Sequence, residues 1–244
     1  EGYDPEIFLI LESKNSIFTF GHIGKFEERK GTLQAIRCFA QALEGKDARL
    51  ILHVDNPFLD NINLLKNELT RLGFSGPYGD IWRHSGLIVE FSHEIESHSD
   101  MGEIYNQMDF GLFPTKGEGW GLPIMESIVS GIPCIVGNWS GQNEYLRDCP
   151  DDFIIKESDI NLAYDGQWYQ GDRGLWHVPK DEELCSLIRK AYDDGSSFRQ
   201  SDQWKYYVGK IRGKFTWEEA AKKLEDFFHG KEWDFYAETQ GNLL

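Results

Sequence analysis

The sequence has few cysteines and no long apolar run, and both shortages restrict the class of protein. Four of its 244 residues are cysteine, and no two of them form a CxxC pair (Cys38, Cys134, Cys149 and Cys185). Scattered cysteines favour a reducing compartment and argue against structural zinc. No apolar run approaches the roughly 18 residues of a membrane span, and Glu1 to Glu6 are too acidic for a signal peptide. We therefore expect a cytoplasmic protein without a transmembrane segment.

Positive charge is also scarce. The chain has 25 Lys and Arg against 41 Asp and Glu, a formal net charge of −16. Such a surface repels nucleic acids and anionic lipids, so we expect neither as a partner. A small anion can still bind where backbone amides and lysines cluster, which directs attention to glycine-rich loops beside basic residues. The sequence has neither a Walker A loop nor a GxGxxG fingerprint.

Short apolar segments alternate with helical patterns in the first part of the chain. The predicted strands are residues 17–20, 49–54, 87–91, 110–113 and 132–136, and the predicted helices between them are 33–43, 64–72, 101–108 and 123–130. Short, continuously apolar strands that alternate with helices are typical of a parallel sheet covered on both faces. The sequence therefore predicts an α/β fold with a doubly wound, Rossmann-like parallel sheet.

The pattern changes in the second part of the chain. Residues 156–179 are rich in Gly, Asp and aromatic residues and lack periodicity, so we predict a long loop. Within it, self-packing of the aromatic side chains is favoured over a sugar-binding platform. The last helix begins at Thr216-Trp217-Glu218-Glu219, a capping box, and we expect it to turn four side chains inward (Ala220, Leu224, Phe227 and Phe228). We interpret residues 230–244 as a C-terminal tail.

The strongest functional signal is a glycine-rich segment that enters a helix. It reads Gly117-Glu118-Gly119-Trp120-Gly121-Leu122-Pro123-Ile124-Met125-Glu126. The glycines let the backbone approach a ligand, and proline suits the first helical turn, whose free amides bind phosphate. Glu118 and Glu126 can face one cleft at different depths, and a carboxylate can accept from two neighbouring hydroxyls. Taken alone, a glycine-rich turn with two solvated glutamates explains the segment about equally well.

The same segment carries a family resemblance. With Gly131-Ile132-Pro133, it resembles the E-x7-E motif of the retaining GT4 glycosyltransferases of GT-B fold, whose usual form is close to EGFGLPxxEAMAxGxP. Trp120 replaces the usual Phe. The resemblance implies a site for a nucleoside diphosphate sugar, UDP- or GDP-linked, with no metal and no other cofactor. It also implies that Glu118 contacts sugar hydroxyls, that Glu126 binds the ribose, and that four amides hold the diphosphate (Gly119, Trp120, Gly121 and Leu122).

A second motif lies upstream, at Gly24-Lys25-Phe26-Glu27-Glu28-Arg29-Lys30-Gly31. It resembles the GR-x4-KG loop of the same family, in which two basic side chains hold the donor diphosphate. Lys30 matches the family lysine, whereas Lys25 replaces an arginine and lacks its bidentate fork. The resemblance implies catalytic roles for Lys25, Lys30 and Glu118, and places Gly24 in the donor-binding loop.

The resemblance covers roughly residues 2–229 and one half of a GT-B architecture. We expect residues 1–16 to end an interdomain linker and residues 17–229 to form the donor-binding domain, with an N-terminal acceptor domain as a partner. The implied reaction transfers a hexose to a glycan or another hydroxyl acceptor. The chief alternative is a non-catalytic nucleotide-sugar-binding module that needs a partner chain. A sugar-nucleotide epimerase or a phosphorylase of the same architecture is a third hypothesis.

Overall fold

The computed structural model describes residues 1–13, 15–56, 58, 61–92, 95 and 97–229. The predicted tail, residues 230–244, lies outside the described residues. The strands are β1 (Phe18–Lys25), β2 (Ala48–Asp55), β3 (Ser75–Tyr78), β4 (Ile81–His84), β5 (Leu87–Phe91), β6 (Phe110–Phe113), β7 (Cys134–Gly137), β8 (Ile154–Ile155), β9 (Ser158–Tyr164) and β10 (Gln170–Pro179). The helices are α1 (Thr32–Ala42), α2 (Asn61–Arg71), α3 (Met101–Tyr105), α4 (Leu122–Val129), α5 (Asn143–Leu146), α6 (Asp181–Gln200), α7 (Asp202–Lys214) and α8 (Trp217–Phe228).

Among the described residues, eight strands form one sheet in the order β3-β4-β5-β2-β1-β6-β7-β8. The pairs from β5 to β8 are all parallel, and β3 and β4 add an antiparallel edge. The predicted α/β fold is therefore confirmed. The antiparallel edge was not expected, because the four residues of β3 are all exposed and carry no apolar pattern.

Each face of the sheet carries its own apolar core. Alternate strand residues point to opposite faces: Phe20 packs in one core and Ile23 in the other, as do Leu112 and Phe113 of β6. Helices α1, α2 and α6 contribute to the first core, and α3, α4 and α7 to the second. Covering on both faces explains why the central strands are continuously apolar.

The prediction of a long loop at residues 156–179 is wrong. This segment contains β9 and β10, which form an antiparallel hairpin outside the main sheet. Leu162 pairs with Leu175, and both side chains are exposed, so apolar residues lie on the open face of the hairpin as well. The inside/outside alternation that identifies a strand is therefore missing from the sequence. The predicted packing of the aromatic rings on one another is seen for one pair, Tyr169 and Trp176, whose centroids lie 5.1 Å apart. Tyr164 is exposed, and the half-exposed Trp168 packs against Phe58 outside the hairpin.

The start of the last helix is as predicted, but its orientation is not. The Thr216 hydroxyl accepts from the Glu219 amide at 3.1 Å, as in a capping box. None of the α8 side chains is buried, however, and three of those expected inside are more than half exposed (Leu224, Phe227 and Phe228). Ala220 is half-buried. The spacing of apolar residues predicts that one face of α8 is apolar, but no other part of the described chain packs against that face.

Candidate active site

Two loops meet at the carboxyl edge of the sheet, where ligands bind in open α/β folds. The first, residues 24–31, begins with the last two residues of β1, and the second, residues 114–121, follows the neighbouring β6. The Lys116 amide donates to the Arg29 carbonyl at 2.8 Å. Gly31 has a φ of 72°, and a Cβ at this position would lie 2.5 Å from the Pro114 carbonyl oxygen. The loops therefore approach so closely that only glycine fits at position 31.

Glu118 is the centre of the ionic contacts between the two loops. Lys30 Nζ lies 2.7 Å from Glu118 Oε1, and Arg29 Nη1 lies 2.7 Å from Glu118 Oε2. The Glu118 side chain is only 6% exposed and that of Lys30 only 12%. Two of the residues that the sequence singles out are thus in direct contact, although 88 positions separate them.

The segment between Glu118 and α4 is held in place through two of its backbone carbonyl groups. The Tyr145 hydroxyl lies 2.8 Å from the Trp120 carbonyl oxygen and 2.9 Å from that of Gly121. In the part of the chain that the structure describes, the backbone amides predicted to hold the diphosphate donate to no other group (Gly119, Trp120, Gly121 and Leu122). Unpaired amides beside a helix N-terminus can bind an anion.

Glu126 lies one turn into α4 and is buried. The Tyr105 hydroxyl donates to Glu126 Oε2 at 2.7 Å. Burial raises the pKa of Glu126, and the hydrogen bond from Tyr105 and the charge of His98 offset part of that rise. Both glutamates also act on the buried Tyr145. Burial raises the pKa of the Tyr145 hydroxyl, and the charges of Glu118 and Glu126 raise it further. Glu118 and Glu126 therefore share one region of the site but have different partners.

Lys25 lies at the rim rather than with Lys30. Its Nζ is 3.1 Å from Glu27 Oε1 and 5.4 Å from the centre of the Phe58 ring, and its side chain is 41% exposed. Gly24 faces the other lysine, because a Cβ there would lie 3.7 Å from the Lys30 side chain. The structure thus brings Gly24, Lys30 and Glu118 together, and leaves Lys25 paired at the edge of the same loop.

Sequence reasoning missed several residues of the site. Arg29 contacts Glu118, Tyr105 contacts Glu126, and the buried Lys116 ammonium pairs with Glu28. Nothing in the local sequence distinguishes Arg29 from a solvated arginine in a charged turn. His22 is buried beneath the loops: its Nδ1 donates to the Leu112 carbonyl at 2.7 Å, and burial lowers its pKa to about 4.

Two negative findings apply to residues 1–229 apart from the positions left undescribed. No group of three His, Cys, Asp or Glu side chains there is arranged to hold a metal ion. No helix in this part of the chain is long and apolar enough to cross a membrane.

Comparison with known proteins identifies the family. The sequence profile described as "Glycosyl transferases group 1" matches residues 17–165, more than half of the chain. The chain belongs to the group 1 glycosyltransferases. The resemblance to GT4-like enzymes of GT-B fold is thereby confirmed.

The relatives of this glycosyltransferase are distant. One is the GtfA subunit of the UDP-N-acetylglucosamine–peptide N-acetylglucosaminyltransferase of Streptococcus pneumoniae, 35% identical over 33% of this chain and 18% of the relative. A second is the Escherichia coli UDP-Gal:α-D-GlcNAc-diphosphoundecaprenol α-1,3-galactosyltransferase, 25% identical over 62% of this chain and 36% of the relative. The Streptococcus parasanguinis GtfA subunit is 21% identical over 90% of this chain and 42% of its own length. The chain therefore spans less than half the length of these relatives.

Solved structures agree on the fold. Sucrose-phosphate synthase from Thermosynechococcus elongatus superposes with a TM-score of 0.62 at 16% identity, over 88% of this chain and 45% of that one. A Rickettsia africae glycosyltransferase gives a TM-score of 0.63 at 11% identity, over 88% of this chain and 48% of its own. At such identities the likeness concerns the fold alone.

Proposed function

We propose that this chain is the donor-binding half of a retaining glycosyltransferase that transfers a hexose from a nucleoside diphosphate sugar to a glycan or another hydroxyl acceptor. The observation that carries the proposal is the pairing of Lys30 with Glu118 at 2.7 Å beside a helix N-terminus with unpaired amides. A cation and free amides suit a diphosphate, and an adjacent carboxylate suits sugar hydroxyls.

In this proposal the four amides of the glycine-rich loop, with Lys25 and Lys30, hold the diphosphate. Negative charge develops on the leaving diphosphate as the glycosidic bond breaks, and preorganised donors stabilise it. Glu118 accepts from hydroxyls of the transferred sugar. Glu126, which Tyr105 orients, accepts from the ribose hydroxyls. The lysines and the helix terminus take the role of a divalent cation, so we propose that donor binding needs no metal.

We favour a UDP-linked donor over a GDP-linked one. The curated relatives from Streptococcus pneumoniae and Escherichia coli are both named for reactions of UDP-linked sugars. We also propose an acceptor-binding half as a partner, since the chain spans less than half of the three relatives described above. The two Streptococcus relatives are named as GtfA subunits. A cytoplasmic location is supported by four cysteines that are all free.

Isothermal titration calorimetry tests the proposal. We expect the 244-residue chain to bind UDP more tightly than GDP, and to keep its affinity when EDTA is present. Failure to bind any nucleoside diphosphate would contradict the proposed donor site, and binding only with added magnesium would contradict the metal-free mechanism.

A further inference from the structure

Arg29 has no role in the proposed donor contacts, yet it makes three contacts within the site. Its Nη1 donates to the Gly117 carbonyl at 2.6 Å and to Glu118 Oε2 at 2.7 Å, and its Nη2 donates to Glu27 Oε2 at 3.1 Å. The side chain is 20% exposed. These three hydrogen bonds hold the guanidinium between the two loops.

We infer that Arg29 is a positioning residue, which fixes the Glu118 carboxylate for the donor sugar instead of binding the diphosphate. The inference rests on the proposed function, because it gives Glu118 a sugar to contact. It goes beyond that function in assigning the orientation of Glu118 to a side chain that touches neither part of the donor.

The two cations on Glu118 are not equivalent. Lys30 has three N–H donors on a flexible stem, so it can contact Glu118 and a phosphate oxygen together. Arg29 has a planar fork, and its contacts with Glu27 and Gly117 fix the plane of that fork. Each carboxylate oxygen keeps a second lone pair after accepting from a cation. Arg29 can therefore orient Glu118 while both oxygens remain able to accept sugar hydroxyls.

The backbone around this contact is also fixed. The Arg29 carbonyl accepts from the Lys116 amide at 2.8 Å, and the Glu118 amide donates to the Ser140 hydroxyl at 2.8 Å. The Glu118 carbonyl accepts from the Gly141 amide at 2.9 Å. With both ends of the Arg29–Glu118 contact anchored, loss of the guanidinium changes the Glu118 side chain more than the course of the loops.

The test compares UDP with a UDP-sugar by calorimetry on the whole chain. The sugar probe is the tightest-binding of UDP-galactose, UDP-glucose and UDP-N-acetylglucosamine. For Arg29→Gln we expect UDP affinity within about twofold of the parent and UDP-sugar affinity about tenfold weaker, the size of one charge-assisted contact. Arg29→Lys, which can donate to one carboxylate but lacks the fork, should be intermediate. The matched control is Arg37→Gln, because Arg37 of α1 pairs with Glu68 of α2 at 3.5 Å and its loss should change neither affinity.

A double-mutant cycle with Glu118→Gln separates positioning from a general structural effect. If Arg29 acts through Glu118, the double variant should bind the UDP-sugar no more weakly than Glu118→Gln alone. Additive losses, equal losses for UDP and UDP-sugar, or no loss at all would each overturn the inference. If Arg29→Gln does not fold, Arg29→Lys carries the same comparisons. If the parent does not bind UDP, the proposed function itself is overturned. If the parent binds UDP and the Arg29 variants keep the parent's affinity for the UDP-sugar, only this inference is overturned.

Discussion

Replacing Lys30 with alanine gives the sharpest test of the diphosphate site. Its ammonium lies 2.7 Å from Glu118 and its side chain is only 12% exposed, so a phosphate contact here would be a charge-assisted hydrogen bond in a partly desolvated cleft. Such bonds contribute about 1.5–3 kcal/mol. Without Lys30, Glu118 keeps Arg29 as its cation, so its own burial stays compensated. The loss in UDP binding should then be about 10- to 150-fold.

The assay is calorimetric titration of UDP into the parent, Lys30→Ala and a control. Lys156→Ala is a suitable control because Lys156 pairs with Asp151 at 2.6 Å and its side chain is 59% exposed, so its removal leaves the site charges intact. Thermal melts of the three proteins establish that each is folded. An unchanged affinity for UDP in folded Lys30→Ala would refute the placement of the diphosphate beside Lys30.

Three further predictions concern the ribose site, a buried histidine and a loop glycine. In calorimetry, Glu126→Gln should weaken the binding of UDP more than that of 2′-deoxy-UDP. Equal losses for the two ligands would mean that Glu126 has a structural role in α4 and does not bind the ribose. The pKa of His22, about 4 when folded, lies below its ordinary value of 6.5. In the unfolded chain His22 is therefore protonated at a higher pH than in the folded protein. As the pH falls from 7.5 to 4.5 this residue should remove roughly 2–3 kcal/mol of stability, a loss absent from urea unfolding of His22→Asn. In the same assay, Gly31→Ala should lower the free energy of unfolding by about 2 kcal/mol more than Gly45→Ala. The two glycines have nearly the same φ, 72° and 74°, but only a Cβ at position 31 would meet the Pro114 carbonyl. Equal losses in the two variants would contradict that clash.

The central sheet could be predicted because its strands are buried on both faces. All four residues of β6 are buried, and the sequence shows them as one apolar run, Phe110–Phe113. The edge could not be predicted in the same way: β3 is exposed throughout, and β8 has only two residues, Ile154–Ile155. Apolar residues on the open face of the β9–β10 hairpin removed the alternation that would have identified those strands.

The sequence predicts the site as two separate motifs, but it does not predict which side chains of one motif contact the other. The resemblance of the two loops to the family motifs implies that Lys30 binds phosphate and that Glu118 contacts the sugar. That they touch depends on β1 and β6 being neighbours in the sheet, which is a property of the topology. Arg29 could not be assigned for the same reason, because its partners Gly117 and Glu118 are 88 and 89 positions away.

The charge of the two loops differs from that of the whole chain. The chain has a net charge of −16, whereas residues 24–31 and 114–121 contain four cations and three carboxylates. At physiological ionic strength the Debye length is about 8 Å, so distant surface carboxylates are largely screened at the site. The local cations are also neutralised in part by their own partners, as Lys30 is by Glu118 and Lys25 by Glu27. An anionic donor therefore gains little from net charge alone, and the unpaired amides at the start of α4 become an essential part of the proposed diphosphate site.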